Sequence, residues 1–226
     1  MPRACVLILV LAGALALGAC GGSDSSGGSD ESAAATGTPT PAPACKTVPA
    51  PKPKSTKLPK PKETLDRGKT YVATVSTNCG DFQITLDAKQ APKTGGSFKY
   101  LADKSFFDGT MFHRIVPGFV IQGGDPKGDG TGGPGYSVVE APPDDLTYTK
   151  GVVAMAKTAA EPAGTSGSQF FVVTAEDANL PPDYALLGRV TSGQGVVDTI
   201  GVAETDQNTE APLDPIVISK ISVAAK

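Results

Sequence analysis

The chain has 226 residues, of which 39% are hydrophobic and 19% charged, with a formal net charge of −3 at pH 7. This length accommodates one ordinary domain of roughly 100–150 residues together with additional segments. From Arg67 onward, 13 Lys and Arg stand against 18 Asp and Glu, so this part of the chain has no nucleic-acid-binding signature. The single histidine, His113, excludes a histidine-rich metal cluster.

Residues 1–19 have the parts of a secretory signal. A short cationic start precedes an apolar run over residues 4–17, and small residues follow. The run is too short to cross a hydrocarbon core, which needs about 20 helical residues. The tetrapeptide that ends at Cys20 resembles a bacterial lipobox, which implies cleavage before Cys20 and lipid attachment to it. Ordinary cleavage near Ala19, which would release a secreted protein, is the alternative.

Residues 20–66 consist mainly of Gly, Ser, Ala, Thr, Pro and Lys, with very few large apolar side chains. This composition predicts a disordered stalk, flexible at first and then stiffer and extended in its proline-rich half. The globular domain is predicted to begin at residue 67.

Cys45 and Cys79 remain once Cys5 has left with the signal and Cys20 carries lipid. An even pair of cysteines in an exported protein favours a disulfide, which would pin the stalk to the domain. Free thiols or a bond to another chain are the alternatives.

The globular part reads mostly as short strands and glycine-rich turns. Residues 71–75 and 82–86 alternate as strands do, and the turn at residues 78–81 makes them a hairpin. A helix is predicted over residues 91–103, with Pro92 near its start, despite Gly95 and Gly96. Further strands are predicted at residues 112–115, 119–122, 152–156, 169–174, 185–190 and 216–223, and a short helix at 194–200. This pattern favours a barrel or a sandwich, and a closed barrel would remove exposed edges.

Two glycine-rich motifs fail as ligand sites. Residues 128–133 satisfy the dinucleotide fingerprint, but Pro134 follows where a helix should open. The same run resembles half of a calcium loop through Asp125 and Asp129, but its twelfth position is Tyr136 instead of Glu. No metal site is therefore predicted, and His113 is interpreted as a structural residue.

The sequence FHRIVPGFVIQGGDP at residues 112–126 and GSQFF at 167–171 set one cation and two amides among apolar residues. No nucleophile or acid–base pair accompanies them, so the predicted chemistry is non-covalent. Together with GTGGPGY at 130–136, GVVAMA at 151–156 and GRV at 188–190, they resemble the cyclophilins, the peptidyl-prolyl cis–trans isomerases. The resemblance covers about residues 71–223 and implies a mainly β, closed eight-stranded antiparallel barrel capped by two helices, with no cofactor.

The resemblance also implies roles for individual residues. Arg114 matches the catalytic arginine and Gln122 the glutamine that grips the substrate backbone. The proline pocket and peptide contacts are implied at Phe119, Val120, Ala156, Lys157, Gln169, Phe171, Leu180 and Tyr184. The implied partners are proline-containing polypeptides. Together with the lipobox and the single tethered domain, this predicts a lipid-anchored monomer that assists the folding of exported proteins.

Some positions depart from the family pattern. Asn179 stands where a tryptophan is frequent, Tyr184 where a histidine is common, and Val120 where a methionine is usual. About three extra residues lie within residues 159–165, beside the expected peptide groove. A non-catalytic peptide-binding module or holdase on the same barrel is the main alternative function. A solute-binding lipoprotein is disfavoured, because the chain is too short for two lobes and lacks their alternating βα pattern.

Overall fold

The computed structural model describes residues 44–226. The predicted signal, Cys20 and the first part of the predicted stalk lie outside this range. The elements, in chain order, are β1 (Tyr71–Thr77), β2 (Gly80–Leu86), α1 (Pro92–Asp103), β3 (Thr110–Val116), β4 (Val120–Asp125), β5 (Val138–Val139), β6 (Val152–Met155), β7 (Thr165–Ser166), β8 (Phe170–Val173), β9 (Leu186–Ser192), α2 (Gln194–Gly201) and β10 (Val217–Ala225).

Eight of the strands form a closed barrel in the order β1-β10-β3-β4-β8-β6-β9-β2. Every neighbouring pair in it is antiparallel. The expected closed eight-stranded barrel with two helices is thus confirmed. The short strands β5 and β7 form a separate two-stranded sheet that was not predicted.

Strands β4, β6 and β8 bury side chains on both faces, and β6 and β8 are accordingly apolar throughout. Ile121 and Phe170 point into the main core, which also contains Phe98 of α1. Val120 and Phe171 point the other way, into a second apolar cluster on the outer face of the barrel. This outer cluster supplies the apolar part of the site described below.

Helix α1 begins with a proline in its first turn, where the missing N–H costs no hydrogen bond. No side chain within the helix caps its first turn. Instead, the Glu140 carboxylate accepts hydrogen bonds from the backbone N–H of Thr94 at 2.7 Å and of Lys93 at 3.2 Å. A residue more than 40 positions away therefore satisfies the helix N-terminus.

Residues 44–66, here called the strap, lie against the barrel. Their backbone N–H groups bond to the domain at four points: Lys46 to Asn78 O, Lys54 to Pro126 O, Leu58 to Pro134 O and Leu65 to Pro92 O, all at 2.7–2.9 Å. The Leu65 side chain is 4% exposed and belongs to the main core. The expectation that the chain up to residue 66 is a disordered stalk is therefore wrong for residues 44–66. The strap's composition is that of a linker, but four of its backbone N–H groups bond to the domain.

A disulfide joins Cys45 at the start of the strap to Cys79 in the turn between β1 and β2. The Asn78 side chain supports the same junction, since its Nδ2 donates to Lys46 O at 2.7 Å. The bond closes a loop with a sequence separation of 34. By the loop-entropy model such a closure contributes about 3–4 kcal/mol.

Within residues 44–226, no helix has both the length and the apolar character that crossing a membrane requires.

The glycine pair in α1 lets the strap cross the helix. A Cβ on Gly96 would lie 2.7 Å from Glu63 O and 2.8 Å from Thr64 Cα, both backbone atoms. We expect Gly96→Ala to destabilise the protein and release residues 63–65, although alanine ordinarily favours a helix by up to about 1 kcal/mol. Thermal unfolding and tryptic cleavage after Lys57 measure the two effects.

Gly195→Ala is the matched control, because a Cβ at this position of α2 has open space around it. It should leave strap cleavage unchanged and should not lower the melting temperature. Equal behaviour of the two variants would contradict the packing argument.

Candidate active site

Barrel register brings the predicted polar and apolar site residues into one row. Arg114 on β3 is paired with Gln122 on β4, and Gln122 is paired with Phe171 on β8. Phe171 is in turn paired with Ala154 on β6. Directly paired residues share a face of a sheet, so this row lies on the outer face, beside the second apolar cluster.

A directional chain of hydrogen bonds joins the polar members. Gln169 Nε2 donates to the backbone oxygens of Gly130 and Gly132 at 2.9 and 3.0 Å. The oxygen of this amide therefore faces Gln122, whose Nε2 donates to it at 3.0 Å. The oxygen of Gln122 in turn accepts from Arg114 Nη1 at 3.4 Å. Two backbone carbonyls thus set the orientation of both amides and present an acceptor to the guanidinium.

The predicted proline-pocket residues lie together. Val120 and Phe171 are buried in the second cluster, and the half-buried side chains that pack against it include Phe119, Leu180, Tyr184 and Ala156. The rings of Phe171 and Tyr184 meet edge to face, with centroids 5.4 Å apart. Five aromatic or branched apolar side chains therefore stand beside the Arg114–Gln122 pair.

Tyr148, which sequence reasoning missed, anchors this wall. Its hydroxyl donates to Tyr184 O at 2.6 Å and accepts from Tyr184 N at 3.0 Å. Burial raises the pKa of Tyr148 to about 12, so the hydroxyl remains a neutral donor across the physiological range. The backbone of Tyr184 is held from a residue 36 positions away.

Ala156 and Lys157 leave the end of β6 on the other side of the row. Ala156 N–H donates to Gln169 O at 2.9 Å. Lys157 Nζ lies 2.6 Å from the Asp183 carboxylate and 5.6 Å from the centre of the Tyr184 ring. The charge of Lys157 is therefore already paired, and its side chain connects the end of β6 to Tyr184 of the apolar wall.

Glu210 is a second residue that sequence reasoning missed. Its carboxylate pairs with Arg114 Nε at 2.5 Å, from 96 positions further along the chain. The residue adopts φ +59, a left-handed conformation that is uncommon for a non-glycine residue. Its backbone is held there because Ile115 N donates to Glu210 O and Glu210 N donates to Asp206 O, both at 2.8 Å. The loop thus places a carboxylate behind the guanidinium, at a cost in backbone strain.

His113 precedes Arg114 in β3 and is buried, with 7% of its surface exposed. Burial lowers the pKa of His113, although the carboxyl of Asp125 opposes the shift. The ring is therefore neutral near pH 7.

These groups can bind and polarise, but they offer no covalent chemistry. The row has one guanidinium, two amides and an apolar wall, and no nucleophile lies next to a base in it. No group of three or more His, Cys, Asp or Glu side chains that could hold a metal occurs in the part of the chain that the structure describes. Such a site suits a reaction in which bonds rotate while none is broken.

Comparisons with known proteins agree with this description. Residues 72–223 match the family model for cyclophilin type peptidyl-prolyl cis-trans isomerase/CLD. Peptidyl-prolyl cis-trans isomerase B of Streptomyces anulatus is 39% identical over 68% of this chain and 97% of its own length. Probable peptidyl-prolyl cis-trans isomerase A of Mycobacterium leprae is 38% identical over 67% and 91%.

The solved structures agree as well. A cyclophilin type peptidyl-prolyl cis-trans isomerase of Cryptosporidium parvum matches with a TM-score of 0.64 and 31% identity, over 70% of this chain and 99% of its own. The structure of that protein in the presence of the dipeptide Ala-Pro matches with a TM-score of 0.63. The chain belongs to the cyclophilin-type peptidyl-prolyl cis–trans isomerase family, and it is an isomerase.

We expect Glu210→Gln to lower turnover by orienting Arg114 less well. The variant keeps the side-chain length but removes the charge, and a hydrogen bond between charged groups is worth about 1.5–3 kcal/mol before solvent screening. Because the Arg114 and Glu210 side chains are 35% and 42% exposed, we expect a loss of about three- to tenfold, mainly in kcat. Peptide isomerisation at several substrate concentrations separates kcat from KM.

Asp198→Asn is the control, because it breaks the Lys150–Asp198 pair, whose side chains are similarly exposed at 37% and 44%. Both variants should change the melting temperature by a similar small amount. If they also had the same kcat, Glu210 would have no positioning role.

Proposed function

We propose that Arg114 catalyses rotation about the X-Pro bond by stabilising its twisted state. The observation that carries the proposal is the guanidinium itself, held by Glu210 on one side and Gln122 on the other. Within residues 44–226, its remaining N–H groups have no hydrogen-bond acceptor. Arg114 therefore has donors available at the edge of the apolar wall.

The physical requirement follows from the peptide bond. Amide resonance sets a barrier of about 18–20 kcal/mol to rotation, and this resonance is lost when the bond is twisted by a quarter turn. The proline nitrogen then regains a lone pair that can accept a hydrogen bond. A donor that binds the nitrogen only in this state lowers the barrier, with about 1.36 kcal/mol for each tenfold gain in rate. A preorganised guanidinium beside an apolar surface provides such a donor.

We infer that the substrates are proline-containing polypeptides. The apolar wall at Phe119, Val120, Phe171, Leu180 and Tyr184 would hold the pyrrolidine ring, while Gln122 restrains the backbone on the other side of the bond. The stretch at Ala156 and Lys157 has Lys157 N and Ala156 O without backbone partners among the described residues. These groups could pair with an extended peptide, as the edge of a sheet does.

We further propose that the protein is exported and anchored to the outer face of the bacterial membrane by lipid on Cys20. The signal-like residues 1–19 and the lipobox-like sequence before Cys20 support this location. The Cys45–Cys79 disulfide supports it independently, because such bonds persist mainly in oxidising compartments. Isomerase activity there would assist the folding of exported proteins.

Replacing Arg114 tests the mechanism. We expect Arg114→Ala to lower kcat/KM by about 100-fold or more, the usual cost of removing a preorganised donor. Isomerisation is measured by NMR exchange on a proline peptide, which needs no coupled protease. Arg189→Ala is the control, since this arginine lies on β9 and bonds to Lys150 O and Thr149 Oγ1. Activity within twofold of wild type for Arg114→Ala would rule out this mechanism.

Mass spectrometry of the protein from membranes tests the anchor. We expect the native amino terminus to be an acylated Cys20, and we expect Cys20→Ser to shift the protein from the membrane fraction to the soluble fraction. An unmodified terminus at another residue would exclude the lipoprotein assignment while leaving the isomerase mechanism untouched.

A further inference from the structure

The strap forms one wall of a cavity that adjoins the site. This cavity has a volume of about 910 Å³, and Gln122 and Gln169 line it. Ala156 and Lys157 line it as well, together with Thr158 and Glu161. Residues 54–57 of the strap line it too. Four residues of the candidate active site therefore share this space with a segment that lies outside the barrel strands.

The strap wall is fastened at both ends. Lys54 N donates to Pro126 O at 2.7 Å, and Leu58 N donates to Pro134 O at 2.9 Å. Lys54 Nζ also bonds to Asp108 O. Between these points, the stem of Lys57 packs on Gly135, where an added Cβ would lie 3.2 Å from Lys57 Cγ. Residues 55–57 are thus held over the cavity.

Positive charge dominates the lining. Lys54, Lys57, Lys127 and Lys157 line the cavity together with one acidic residue, Glu161. Lys157 is neutralised by Asp183, whereas the other three lysines have no ion-pair partner among residues 44–226. Lys54 Nζ bonds to Asp108 O, which leaves Lys57 and Lys127, among the described residues, as lining lysines with neither an ion pair nor a bond to the backbone.

We propose that residues 54–57 complete the peptide groove and make the cavity select proline peptides that carry an acidic side chain near the proline. The inference rests on the proposed function, because it requires the peptide to bind beside Gln122 and Gln169. An extended peptide advances about 3.3 Å per residue, with side chains on alternate sides. A side chain within three residues of the proline therefore reaches a cavity that shares the two glutamines with the site.

The test compares peptides that differ only in charge. Glu, Gln or Lys is placed at each of the three positions before and the three positions after one proline. Isomerisation by the full chain is followed by NMR exchange at low salt. Wild type should favour Glu over Lys at one or more positions by about three- to tenfold in kcat/KM, as expected for a partly exposed charge pair, and the preference should shrink with added salt.

Lys57→Glu should abolish or invert this preference. Lys60→Glu is the matched control, because Lys60 is an exposed strap lysine that does not line the cavity. This control should retain the wild-type ratio of Glu to Lys peptides.

If wild type isomerised the Gln peptides but did not distinguish Glu from Lys at any position, the inference would be overturned and the proposed function would stand. Equal loss in both variants would show a long-range charge effect and would also overturn it. No activity on any peptide would instead overturn the proposed function.

A fluorescent residue in the wall gives a second measurement. The chain contains no tryptophan, so Ser55→Trp introduces a single reporter at a cavity-lining position. Its emission should change saturably with the Glu peptide, whereas that of Lys60→Trp should stay constant. An unchanged Ser55→Trp signal, with a peptide that the same protein isomerises, would show that the strap wall does not contact substrate.

Discussion

Closure of the barrel is the constraint on which the site depends. Each barrel strand is paired on both sides, so the register between β4 and β8 is fixed. Along each strand, alternate side chains face opposite sides of the sheet. Ile121 and Phe170 fill the interior, and their neighbours Val120 and Phe171 face the outer cluster. A slip of one residue would exchange these sets. The register that fills the core therefore also aligns Arg114, Gln122 and Phe171.

The polar half of the site depends on the loop that follows β4. The buried carboxylate of Asp125 accepts backbone hydrogen bonds from Lys127, Asp129 and Gly130 at 2.6–3.2 Å. These bonds shape the loop whose carbonyls at Gly130 and Gly132 orient the Gln169 amide. The glycine-rich run that fails as a dinucleotide or calcium motif thus has a structural explanation. It bends around one carboxylate and presents two acceptors to the site.

Local patterns predicted the strands and helices because each depends on alternation, a turn or a proline within a few residues. The barrel and the site residues followed from the family resemblance. Glu210, Tyr148 and Glu140 could not be found in this way, because each acts across more than 30 positions and carries no local signal. The strap was missed because its composition is that of a linker. Gly95 and Gly96 were the available signal, since two glycines inside a helix indicate that another backbone passes close by.

The strap and the row of site residues differ in how firmly the barrel holds them. Arg114 and Gln122 lie on paired barrel strands, so changing their geometry would disturb the core. Residues 54–57 are held by a few backbone hydrogen bonds, by the Leu58 and Leu65 side chains and by a distant disulfide. Substitutions among their side chains leave the barrel core untouched. The side chains of this wall can therefore differ without any change to the strands that carry Arg114 and Gln122.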